Sequence, residues 1–187
     1  MVSWILFLLL IPGAVELWWL SLGAVLSLRH KGLNCSSKTY APGKCVVVVP
    51  AHNEETVIDA ALDSLQKCDD PLNDWEIVVV ADNCTDGTAE RARNHGVRVM
   101  ERFDDQRRGK NYALQEAFEQ LLKEKGDFFA VVDADTVVQQ NFIRQLRRTF
   151  AEGADGVQVR YEIMADSQST GQKLQSLAMT AFNHVRA

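Results

Sequence analysis

The chain has 187 residues, with 20 Lys and Arg against 25 Asp and Glu and a formal net charge of −5. Residues 1–31 hold one acid, Glu16, and two bases, Arg29 and Lys31, so the acidic excess lies beyond residue 31. An acidic globular part excludes non-specific nucleic-acid binding, and four cysteines without a CxxC pair exclude a disulfide-dense scaffold and a zinc ribbon.

Residues 4–28 form an almost continuous apolar run in which only Glu16 is ionisable. At about 1.5 Å per residue this exceeds a bilayer core of roughly 30 Å, so one transmembrane helix is predicted, kinked at Pro12-Gly13. Trp4, Trp18 and Trp19 are candidate interfacial anchors. Arg29, His30 and Lys31 follow at once, and the positive-inside bias puts the rest of the chain in the cytoplasm. A cleaved signal peptide is the alternative. It fits less well, because the run is too long and no basic residue precedes it. Residues 1–31 thus read as an anchor, 32–44 as a linker rich in Gly, Ser and Pro, and 45–187 as the globular domain.

Along that domain, short apolar runs alternate with helical patterns. Strands are predicted over 45–50, 76–81, 97–101, 128–132 and 156–161. Helices are predicted over 54–66, 88–94, 110–125, 141–150 and 168–185. Buried strands without polar alternation, each followed by a helix, indicate an α/β fold with a mostly parallel sheet covered on both faces. Such sheets bind ligands at the C-terminal ends of their strands.

The polar residues cluster where that rule puts a ligand. Pro50, Ala51, His52, Asn53 and Glu54 follow the first strand, Asp82-Asn83-Cys84-Thr85-Asp86-Gly87 the second, and Asp133-Ala134-Asp135 the strand at 128–132. Asp133 and Asp135 offer hard oxygen ligands suited to Mg²⁺ or Mn²⁺, although a D-x-D tripeptide also serves as a plain turn. Gly109-Lys110 opens a helix, so backbone N–H groups, the helix dipole and an ammonium converge on an anion site. The bland reading of that run is a solvated basic turn. Asp82 can accept an N–H from a planar base. Asp86 and Thr85 read as caps of the next helix, and His52 as a structural histidine or a catalytic one.

Four segments carry a resemblance: VVVVPAHNEE (46–55), VVVADNCTDGT (78–88), RGKNYAL (108–114) and VVDADTVV (131–138). In this order and spacing they resemble the donor-binding half of a family-2 glycosyltransferase with a GT-A fold, of the type in bacterial exopolysaccharide and envelope glycan synthesis. The resemblance implies a nucleotide-sugar donor such as a UDP-sugar, a glycan or lipid-linked acceptor, and a divalent metal, Mg²⁺ or Mn²⁺, as cofactor. It implies that Pro50–Glu54 line the nucleotide pocket, Asp82 meets the uracil, and Gly109 and Lys110 approach the diphosphate. Asp133 and Asp135 would hold the metal, with Ala134 between them. The metal would neutralise the leaving diphosphate.

The family's general base, often in an E-D pair, and the Q-x-x-R-W of processive members have no match after Val159. The resemblance therefore covers a donor site without an assigned base, and a non-catalytic nucleotide-sugar-binding module is the second reading. VVDADTVV also fits the hhhDxDxT pattern of haloacid-dehalogenase-type phosphatases. That fold needs a later lysine and a second acidic pair, and no adjacent acids follow Asp135.

Overall fold

The computed structural model describes residues 39–162 apart from Lys125, together with Trp18. The predicted membrane span, apart from Trp18, and the predicted helix over 168–185 lie outside the described residues. Among the described residues no helix is long and apolar enough to cross a membrane.

The unit Cys35–Asp155 is built on four parallel strands. They are β1 (Cys45–Ala51), β2 (Trp75–Asp82), β3 (Arg98–Arg102) and β4 (Phe128–Val131), in spatial order β3-β2-β1-β4. The helices between and after them are α1 (Ile58–Gln66), α2 (Thr88–Asn94), α3 (Lys110–Leu121) and α4 (Phe142–Ala151), with a 3₁₀ turn at Leu122–Glu124. β1 is central, and Val47, Val48 and Val49 are fully buried. The pleat sends alternate valines to opposite faces. Val47 and Val49 join Val79 and pack with Ile58, Leu62 and Leu65 of α1, Ala92 of α2 and Ile143 of α4. Val46 and Val48 join Val78 and Val80 against Ala113, Ala117 and Leu121 of α3. A strand covered on both faces has no solvent side to place polar residues on, which is why 45–51 of β1 and 77–81 of β2 read as unbroken apolar runs.

Register determines where the site forms. Ala51 pairs with Ala81 and Asp82 with Arg102, so β1, β2 and β3 end side by side. At the opposite end of the sheet, Arg147 of α4 is 1 % exposed and spends all five donors. It bonds Asp70 twice, at 2.6 and 2.8 Å, and the carbonyls of Ala41, Gly43 and Asp74. This cluster fastens the segments that lead into β1 and β2 to α4.

Three expectations change. The helix expected from Glu54 starts at Ile58, because residues 52–57 form a loop whose Glu54 carbonyl accepts the Val57 and Ile58 amides. The strand expected over 156–161 is not formed: these residues are irregular, with Val157 and Val159 each 37 % exposed. Alternation supplies two faces but not the ladder partner a strand needs. Thr85 does not cap α2. Its amide donates to Asn53, and Asp86 alone accepts the Thr88 amide, at 3.0 Å.

Candidate active site

A cavity of about 520 Å³ opens at the C-terminal ends of β1, β2 and β4. Its walls contain Pro50, Ala51, His52, Glu54, Asp82, Gly109, Lys110, Asp133, Ala134 and Asp135, while Asn53, also expected to line it, is turned to the loop after β2 instead. Asn83, Arg108 and Ala113 complete the lining.

The loops after β1 and β2 brace each other. The Thr85 amide donates to Asn53 Oδ1 at 2.8 Å, and the Glu54 amide to Thr88 Oγ1 at 2.8 Å. The Gly87 amide donates to Glu55 Oε2 at 2.8 Å, and the Glu55 amide to Asp86. Burial pushes the Asp86 pKa up, but the Thr88 hydroxyl and amide outweigh it and hold the carboxyl below its usual range. Asn53 and Asn83 sit at φ 55° and 50°, a left-handed conformation that asparagine tolerates better than most residues. His52 Nδ1 lies 2.7 Å from the Asp82 carbonyl. A carbonyl only accepts, so Nδ1 is the donor. The histidine therefore ties the two loops together.

Asp82 is 4 % exposed. Its Oδ1 accepts from Arg102 Nη1 at 2.7 Å and from Asn83 Nδ2 at 3.0 Å. Its Oδ2 lies 3.4 Å from the Gly109 amide, a long contact. Arg102, buried at 5 %, also bonds Glu116 of α3 and Asp104. The bond to Asp82 is the main cause that raises the Arg102 pKa, with burial opposing it. The sequence reading missed Arg102 entirely. It lies 20 residues from Asp82, and a charged end to an edge strand is unremarkable.

Gly109, at φ 111°, turns the chain into α3, so the N-terminus of that helix, with Gly109 and Lys110, lies at the cavity wall. The first amides of a helix have no partner inside it and favour an anion. Lys110 Nζ forms an ion pair with Asp133 across the cavity. Asp135 is exposed and makes no ion pair among the described residues. No group of three or more His, Cys, Asp or Glu side chains is placed to hold a metal ion there or elsewhere among the described residues. Among the described residues a divalent ion would take two carboxylates, Asp133 and Asp135. It would complete its shell with phosphate oxygens and water, which is how Mg²⁺ is commonly held. The donor set fits that ion.

A parallel α/β sheet with a polar cleft at its strand ends, flanked by a helix N-terminus and a pair of carboxylates, is consistent with the GT-A fold. The family model described as "Glycosyl transferase family 2" matches residues 46–183, and the chain belongs to that family. The phosphatase alternative falls with that finding. Among similar proteins, the beta-monoglucosyldiacylglycerol synthase of Synechocystis sp. is 34% identical over 128 residues, which cover 65% of this chain and 26% of that protein. The glucosyl-3-phosphoglycerate synthase of Mycobacterium tuberculosis is 35% identical over 96 residues, covering 49% of this chain and 28% of that protein. A solved mannosyltransferase from Pyrobaculum calidifontis, in complex with GDP-Man and Mn²⁺, superposes with a TM-score of 0.55 at 27% identity, covering 70% of this chain and 38% of that one. The chain spans between a quarter and a third of the length of the two curated relatives.

Proposed function

We propose that this chain carries the donor site of a membrane-anchored, metal-dependent, inverting glycosyltransferase that takes a UDP-sugar and serves glycan or lipid-linked acceptors in envelope polysaccharide synthesis. The observation that carries the reading is the cavity that gathers Asp82, the α3 N-terminus with Lys110, and Asp133 with Asp135. These are one acceptor for a base, one anion site and one metal-binding pair. Asp82 Oδ2 accepts the N–H of the base. Lys110 and the first amides of α3 hold the diphosphate, and Lys110 exchanges Asp133 for a phosphate oxygen as donor binds. Asp133 and Asp135 hold a divalent ion, which supplies positive charge to the departing diphosphate. The apolar run over 4–28 supports the membrane anchor. The Mn²⁺ complex of the Pyrobaculum mannosyltransferase supports the metal.

Calorimetry with UDP in Mn²⁺ and then in EDTA tests this reading. Binding is expected to need the metal, and Asp135→Ala is expected to lose the metal dependence while its far-UV circular dichroism stays unchanged. Equal affinity in EDTA and Mn²⁺ would refute the metal role, and no binding of any nucleoside diphosphate would refute the donor site.

A further inference from the structure

We infer that Arg102 is a positioning residue for Asp82, and that through Asp82 it sets the selectivity of the site for the nucleotide base. The inference rests on the donor-site reading and adds to it a residue outside the cavity wall.

Three observations carry it. First, the β2–β3 register pairs Asp82 with Arg102 directly, so the two side chains project from the same face of neighbouring strands. Second, the Arg102 fork is committed in three directions. Nη1 reaches Asp82 Oδ1 at 2.7 Å, Nη2 reaches Asp104 Oδ2 at 3.0 Å, and Nε reaches Glu116 Oε2 at 2.9 Å. A guanidinium anchored to the β3–α3 loop and to α3 cannot follow its partner, so it fixes the carboxylate instead. Third, the bonding of Asp82 is lopsided. Oδ1 takes both short bonds, while Oδ2, with only the long Gly109 contact, keeps acceptor capacity toward the cavity.

The consequence is chemical. A carboxylate oxygen held in place is an acceptor and never a donor. It pairs with uracil, whose N3 carries a proton, and repels cytosine, whose N3 carries a lone pair. Without Arg102 the carboxylate is free to turn about its Cβ–Cγ bond and to lean out of line with the base. Selectivity between UDP and CDP then falls, whatever happens to overall affinity. A merely structural role would weaken both nucleotides alike.

The test is a double-mutant cycle on the ratio of CDP to UDP dissociation constants, measured by calorimetry in Mn²⁺ on the wild-type chain, Asp82→Asn, Arg102→Lys and the double variant. The wild type is expected to favour UDP about 10- to 100-fold, as one charge-assisted hydrogen bond allows. Asp82→Asn is expected to bring the ratio near one. Arg102→Lys keeps the charge but not the fork, and should cut the ratio at least threefold. In the Asp82→Asn background the same change should alter it less than twofold, because its route runs through Asp82. If Arg102→Lys does not fold, Arg102→Gln takes its place in the same cycle. A variant at position 102 that keeps the wild-type ratio, or that loses UDP and CDP affinity equally, overturns the inference while leaving the donor site intact. Equal binding of UDP and CDP by the wild type overturns the role of Asp82 together with this inference. Failure of the wild type to bind either nucleotide overturns the donor site itself.

Discussion

Replacing Asp70 with asparagine removes the charge opposite Arg147 and leaves its volume nearly unchanged. Both side chains are buried, at 0 % and 1 % exposure. Asp70 accepts two bonds from Arg147 and one each from the Leu72 and Asp74 amides. An asparagine keeps one acceptor oxygen and turns an NH₂ toward donors that already point at it. Arg147 is then a buried cation without a counter-charge. Breaking a buried pair from one side costs about 3–5 kcal/mol, which for a unit of this size is a fall of roughly 10–20 °C in melting temperature. The pH dependence comes from the same pair. Burial raises the Asp70 pKa, but Arg147 and the two amides outweigh it and hold the carboxyl below its usual range. A depressed carboxylate stabilises the fold above its unfolded pKa, about 3.9, and that contribution is lost as pH falls through the lower folded value. Thermal and urea unfolding of both proteins should therefore show a wide gap at pH 7 that closes below about pH 4. UDP affinity of the folded variant should be unchanged, because the cluster lies at the end of the sheet opposite the cavity. A loss under about 1 kcal/mol at pH 7, or a gap that stays constant on acidification, would refute the reasoning.

Gly109→Ala places a Cβ where nothing among the described residues lies within 4 Å, so its cost is backbone strain at φ +111°. A loss of about 1–3 kcal/mol in stability is expected, together with weaker UDP binding as the start of α3 shifts; a melting curve and a titration that both match the wild type would sink this account of the α3 entry. A reporter fused after Ala187 should report a cytoplasmic position if 4–28 spans the membrane with Arg29 and Lys31 inside, and periplasmic activity of the fusion would contradict it.

Much of the site was legible in the sequence because its parts are local. The cavity residues lie at or just past the ends of apolar strands or around the first turn of α3, and a parallel sheet brings all strand C-termini to one edge. Recognising the strands at 45–50, 76–81 and 128–132 was therefore enough to bring His52, Asp82 and Asp135 together without any contact map. The valine runs settled the two-faced burial in the same way, since a strand with helices on both sides has no position for a charge. Roles assigned from single residues alone fared less well. Thr85 and Asp86 are both good capping residues, yet only Asp86 accepts an α2 amide, because the Thr85 hydroxyl, like its amide, is turned to Asn53 on another loop.

The chain's own pattern determined the order of strands and helices, the face each strand buries and the turns that carry the polar residues, since period, turn chemistry and helix starts are written in neighbouring residues. Only the tertiary structure decided which charges meet. Arg102 reaches Asp82 through a strand register, and Arg147 reaches Asp70 across 77 residues, so both pairings exist only once the sheet has aligned and α4 has docked. Val157 and Val159 make the same point from the other side: their alternation describes a strand, but pairing is a property of two segments, and no reading of one segment supplies the other.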